Sequence, residues 1–125
     1  MKFREQLPEN CPPDSAVEIR ETIYVFRLVR SLPPTESDFQ SQRAENLDRS
    51  FSGVSECQAF GLSVFLLRSD AEKKLKLPKM RGRKVCRVML VAGAGYIDKT
   101  GRASHHTWWP LAKYDILAQC NWEAI

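Results

Sequence analysis

Apolar and polar positions change rhythm several times along the chain. Residues 22–30 (Thr-Ile-Tyr-Val-Phe-Arg-Leu-Val-Arg) are rich in β-branched and aromatic side chains and predict a strand. Alternation puts Ile23, Val25, Arg27 and Val29 on one face and Tyr24, Phe26, Leu28 and Arg30 on the other. Arg27 therefore sits among apolar neighbours. Pro33-Pro34 stops the strand, and the hydroxyl and acids of residues 35–38 predict a helix running to about Asn46. Residues 47–55 read as a loop, 55–59 as one helical turn and 61–67 as a second strand. Ser69-Asp70-Ala71-Glu72 has the form of a capping box opening a short helix that Pro78 ends, with Ala71 and Leu75 facing inward. Strands are predicted over 84–91, 96–98, 107–109 and 114–120, with turns at Lys99-Thr100-Gly101 and Pro110. Pro8, Pro12 and Pro13 make residues 1–15 an extended arm, leaving 16–125 as a single α+β domain. Helices early and strands late predict small mixed or antiparallel sheets with two or three short helices.

At 125 residues, 43% hydrophobic and 27% charged, the chain can bury a core without staples, which excludes wholesale disorder and a coiled-coil rod. Its longest apolar run, residues 88–92, is far short of the roughly 20 residues of a membrane span, so no membrane partner is expected. The opening residues lack the apolar segment of a secretory signal, which points to the cytoplasm. The net charge of +4 is uneven. Residues 72–87 hold eight Lys or Arg and one Glu, so the rest of the chain is net negative. Lys73, Lys79, Arg81, Arg83 and Lys84 in this segment are candidates to contact phosphate or nucleic acid, against the alternative of a solvated helix face and loop. Cys11, Cys57, Cys86 and Cys120 form no Cys-x-x-Cys pair, so no zinc or redox signature is present. In a cytoplasmic chain they are expected to be unpaired, with Cys86 and Cys120 as small buried hydrophobes. Nothing in the spacing of Cys57, Cys120, His105 and His106 supports a metal, and none is expected.

The densest chemistry lies in Ser104-His105-His106-Thr107-Trp108-Trp109-Pro110, which holds both histidines of the chain. His105 or His106 could act as acid or base, and Trp108 or Trp109 could stack on a base or nicotinamide. If the segment is extended, His106 and Trp108 share one face, and His105, Thr107 and Trp109 the other. One face would be core and the other would line a cleft; the alternative is core tryptophans with incidental histidines. Arg27 needs a partner or a ligand, because an unpaired buried charge is very costly. Ser63, flanked by Leu62 and Val64, is a candidate hydroxyl or a satisfied core residue. Gly93-Ala94-Gly95 leads into a strand rather than a helix, which argues against a dinucleotide fingerprint. Gly61-Leu62-Ser63-Val64 lacks the second glycine of a nucleophile elbow, and no carboxylate pair suggests glycosidase chemistry.

The order of a strand with an arginine (Tyr24-Val25-Phe26-Arg27), a helical segment, a strand with a hydroxyl (Gly61-Leu62-Ser63-Val64-Phe65), an Asp70-Ala71-Glu72 helix and a β-rich half resembles small bacterial ADP-ribosyltransferase-like domains. These include the RES-type toxins that consume NAD. The chain also resembles small uncharacterised bacterial proteins with a His-His-Thr-Trp-Trp-Pro segment. The resemblance covers residues 22–118 as an order of elements. It implies a split α+β fold with NAD between two small sheets, Arg27 gripping the NAD phosphates and Ser63 as the hydroxyl of the second motif strand. The family's late catalytic glutamate has no counterpart: Glu123 lies in the terminal tail, Asp115 is shorter, and His106 could replace it. The expected protein is an NAD-using transferase or glycohydrolase, a toxin or defence component, with His105, His106 and Ser63 catalytic and Arg27, Trp108 and Trp109 holding NAD. The alternatives are a non-catalytic nucleic-acid-binding module using residues 73–87 and the tryptophans, or a protein-binding adaptor anchored by Phe60, Trp108 and Trp109.

Overall fold

A computed structural model describes residues 1–46 and 55–122. It contains seven strands, β1 (Val17–Glu18), β2 (Ile23–Val29), β3 (Leu62–Phe65), β4 (Lys84–Leu90), β5 (Gly95–Lys99), β6 (His105–Pro110) and β7 (Cys120–Asn121). Three short helices, α1 (Gln42–Glu45), α2 (Glu56–Ala59) and α3 (Arg68–Lys74), and three 3₁₀ turns complete it. The α+β expectation holds as one antiparallel sheet in the order β1-β5-β6-β3-β2-β4-β7. The two halves of this sheet differ in how firmly they are joined. β2 pairs with β4 over seven residues and β3 with β6 over four, but β2 meets β3 at the single pair Phe26↔Phe65. The sheet therefore splits between β2 and β3.

Both faces are covered, unequally. Val25, Val29, Leu62, Val64, Val88, Leu90 and Trp108 form the main core on one face, closed by Phe39. On the other, α3 covers a smaller cluster of Phe65, Ala71 and Val85, with Phe26, Leu28 and Leu75 at its edge. The inward pair Ala71 and Leu75 is as the spacing predicts. Gly95 is required where β5 turns in: at φ +123° a Cβ there would lie 2.1 Å from the Trp109 carbonyl oxygen.

Local chemistry changes four expectations. The 35–46 helix is broken into a 3₁₀ turn (Glu36–Phe39) and α1. Between them, Glu5 accepts from the Ser41 amide (2.9 Å) and hydroxyl (2.6 Å), and the Ser41 hydroxyl caps Ala44. The Ser69 capping box does not form, because α3 starts two residues earlier, at Arg68 with Leu67 as its N-cap. Ser104 substitutes for it. Its hydroxyl accepts from the Leu67 amide (3.0 Å), while its own amide donates to Asp70 (3.0 Å). The last predicted strand shrinks to β7. Asp115 accepts from the Ala118 amide and starts a 3₁₀ turn (Leu117–Gln119), a local bond that competes with extension. Finally, Cys11 and Cys57 form a disulfide with Cα atoms 5.5 Å apart, against the expectation of unpaired thiols. Cys86 is a free, buried thiol and Cys120 a free, half-buried one.

The 1–15 arm is laid against the domain. Phe3 bridges Leu111, the Arg4 amide donates to the Pro110 carbonyl (2.9 Å), and Arg4 pairs with Glu36. Expected loop residues 47–54 lie outside the described chain, as does Glu123. No described helix is long and apolar enough to cross a membrane.

Candidate functional site

A cleft of about 510 Å³ opens where β2 and β3 part. That lies within the range of small-molecule sites. Five side chains singled out in the sequence, Arg27, Ser63, Lys79, Arg83 and His105, line it.

Arg27 explains how the split is held. Continued in register, Ser63 would lie opposite Leu28, two residues beyond the single β2–β3 pair. β2 no longer pairs with the strand at the Ser63 carbonyl. Arg27 Nη1 donates to it instead (2.8 Å), while Nε donates to Asp38 O (2.8 Å) and Nη2 to Gln40 O (3.4 Å). The guanidinium thus ties together the two strands and the 36–40 turn. Its partners are carbonyls rather than the carboxylate an ion-pair reading would suggest. Burial lowers its pKa to about 10, against the opposing pull of Glu45 and Asp38. It remains charged at neutral pH.

Ser63 is not a core hydroxyl. Its neighbours Leu62 and Val64 are buried, but Ser63 is exposed in the cleft. The β3–β6 register sets Ser63 beside Thr107 and Phe65 beside His105 on one face. His105 Nε2 lies 3.0 Å from Ser63 Oγ. His105 Nδ1 lies 3.0 Å from the Thr100 carbonyl oxygen and 3.0 Å from its hydroxyl, which also bonds Thr107 at 2.8 Å. A carbonyl can only accept, so Nδ1 carries the proton and Nε2 presents a lone pair to Ser63. Burial lowers the pKa of His105, with the Thr100 bond opposing and Lys74 reinforcing. The imidazole is therefore neutral at pH 7. Gly101, at φ +64°, brings the turn so close that a Cβ would lie 3.0 Å from Nδ1. Gly61 permits a second close approach, since a Cβ there would lie 2.2 Å from Thr107 Cγ2.

The rim is basic. Lys74, Lys79 and Arg83 line it, against one acid, Glu45, whose carboxylate pairs with Arg30 (3.1 Å). With Arg27, four cations face one anion, which favours an anionic ligand.

Other candidates lie elsewhere. His106 alternates to the opposite face, in register with Val64 and Lys99, and its Nδ1 donates to the Ser104 carbonyl (2.8 Å). Trp108 and Trp109 are buried and have no face to offer a ligand. Trp108 donates to Ala94 O (3.0 Å), and Trp109 to Cys57 O (2.9 Å). Phe60 is half-buried, and burial of both tryptophans removes two of the three anchors of the adaptor reading. Lys73, Arg81 and Lys84 are exposed and do not line the cleft. Among the described residues no group of three or more His, Cys, Asp or Glu could hold a metal.

Sequence reasoning missed Glu45, Thr100, Thr107 and Lys74. Lys74 lay in the basic run and Thr107 on the predicted His105 face of residues 104–110, but neither was singled out as a site residue. The others join the site through strand register and the gap between strands, which no local spacing encodes. The chain matches no protein-family model, and neither a curated protein nor a solved structure is significantly similar to it.

Proposed function

We propose that the cleft binds NAD and that the protein is a small ADP-ribosyltransferase-like enzyme that transfers or hydrolyses its ADP-ribosyl group. One observation carries this reading. Arg27 of β2, Ser63 of β3, His105 of β6 and Glu45 of α1 converge on a basic cleft at a split in the sheet. The resemblance implies NAD between two small sheets; this chain has one continuous sheet instead, and the gap between β2 and β3 supplies the comparable cleft. Lys74, Lys79 and Arg83 supply the charge to meet a pyrophosphate. Glu45 takes the place of the family's late glutamate. Glu45 lines the cleft with its carboxylate paired to Arg30 (3.1 Å), and as the one acid of the lining it would be the group to meet positive charge that develops on the ribose as nicotinamide leaves. Arg27 is assigned to positioning as much as to phosphate, since three of its five donors hold backbone carbonyls. The Cys11–Cys57 bond fits an oxidising compartment better than a reducing cytoplasm, as suits a toxin or defence component acting after export.

The test is incubation of the purified protein with NAD and detection of free nicotinamide by mass spectrometry. Wild type is expected to release it. Glu45→Gln should slow release by about 100-fold or more. Arg83→Ala should raise KM, and Lys73→Ala, outside the cleft, should change nothing. Absence of release with every protein and RNA acceptor supplied would refute the reading. A second reading rests on Lys73, Arg81 and Lys84, which are exposed outside the cleft and could contact nucleic acid. It predicts affinity for single-stranded RNA or DNA that falls steeply with salt and is lost on neutralising those three residues.

A further inference from the structure

Ser63 and His105 form more than a ligand-binding pair. The Thr100 carbonyl fixes the imidazole proton on Nδ1 and aims the Nε2 lone pair at the Ser63 hydroxyl. Nucleophile, base and orienting group then stand in line, the arrangement that activates a serine. Thr107 and the Thr100 hydroxyl extend the chain behind the base, and Gly61 and Gly101 keep it tight. Ser63 is exposed to the cleft although its strand neighbours are buried. In the resting cleft the hydroxyl nearest the base belongs to the protein itself. A water or an outside acceptor would have to displace it.

We propose that Ser63 is itself the acceptor, so that the protein ADP-ribosylates its own cleft. This rests on the NAD reading above and goes a step past it. Ser63 Oγ attacks C1′ of the nicotinamide ribose and forms an O–C1′ bond. The C1′–N bond to nicotinamide breaks, and nicotinamide leaves as the neutral base with the electron pair. The hydroxyl proton passes to His105 Nε2 and then to solvent. No oxidant, reductant or metal enters the balance. The adduct would fill the cleft it came from, so modification limits the protein to about one turnover per chain.

The experiment is intact-mass measurement of the full chain after incubation with NAD, with nicotinamide quantified in the same samples and the adduct placed by peptide fragmentation. The expected result is one ADP-ribose per chain on Ser63, no adduct anywhere on Ser63→Ala, and a rate lowered by about 100-fold or more in His105→Gln. Circular dichroism confirms that both variants fold; Ser63 is exposed, so its truncation leaves no cavity. Nicotinamide release with no adduct, or with the adduct on another residue, would overturn the inference and leave the NAD reading standing. No nicotinamide and no adduct would overturn both.

Discussion

The Cys11–Cys57 bond is the feature most open to a quantitative test. It closes a loop across a sequence separation of 46. The chain-entropy relation assigns such a loop about 13 cal/mol/K of denatured-state entropy, or about 4 kcal/mol at room temperature. For a domain of this size each kcal/mol moves Tm by roughly 3–5 °C, so breaking the bond should lower Tm by about 12–20 °C. The native state adds a local cost. The Cys57 carbonyl accepts the indole N–H of buried Trp109, and α2, which carries Cys57, also supplies Gln58 to the cleft wall. Thermal unfolding should be followed by circular dichroism for the oxidised protein, the reduced protein and Cys11→Ser. The latter two should agree within about a degree or two, since both lack the same loop constraint. Peptide mapping without reduction should recover residues 11 and 57 as one linked species. An oxidised protein with four free thiols, or a Tm unchanged by reduction of a mapped bond, would refute the reasoning.

Other predictions follow from the same geometry. Gly61→Ala forces a methyl to within 2.2 Å of Thr107 Cγ2, so it should cost about 1–3 kcal/mol in denaturant unfolding and disturb the Thr107–Thr100–His105 chain. Gly95→Ala combines a positive φ with a backbone clash and should be worse, about 3 kcal/mol or more by the same measurement. His105 has a folded-state pKa below its unfolded value, so its neutral form stabilises the fold above about pH 6.5 and that contribution is lost as pH falls through the folded value. Stability against pH should therefore fall less steeply in His105→Asn below pH 6.5, read from urea midpoints. Trp109→Phe removes the donor to Cys57 O and should cost about 1–3 kcal/mol, with the disulfide intact by mapping.

The parts of this fold that were legible are those encoded locally. The 22–30 alternation defined β2 and marked Arg27 as a charge among apolar side chains, and the structure places it on the Val25 and Val29 side, against Phe39 at 5.7 Å. Alternation in 105–110 separated His105 from His106 correctly. It could not say that both faces at the Trp end are covered, because Trp109 is buried beneath Gly61 and α2 rather than beneath the sheet's main core. The Ser69 box failed because α3 is capped from a distance: Ser104, 35 positions on and just before β6, bonds the Leu67 amide and the Asp70 carboxylate. The disulfide was missed because compartment, not spacing, governed the expectation for Cys11 and Cys57. Glu45 and Thr100 were out of reach for a different reason: each becomes a site residue only once β2 and β3 are known to part after one pair.

The proposed function places an anionic ligand at that split. Backbone amide shifts of isotopically labelled protein titrated with NAD would locate it directly. Perturbations should concentrate at Arg27, Ser63, Thr100 and His105, with Lys79 and Arg83 following at the rim. Perturbations confined to Lys73, Arg81 and Lys84, or no saturable change at all, would contradict it.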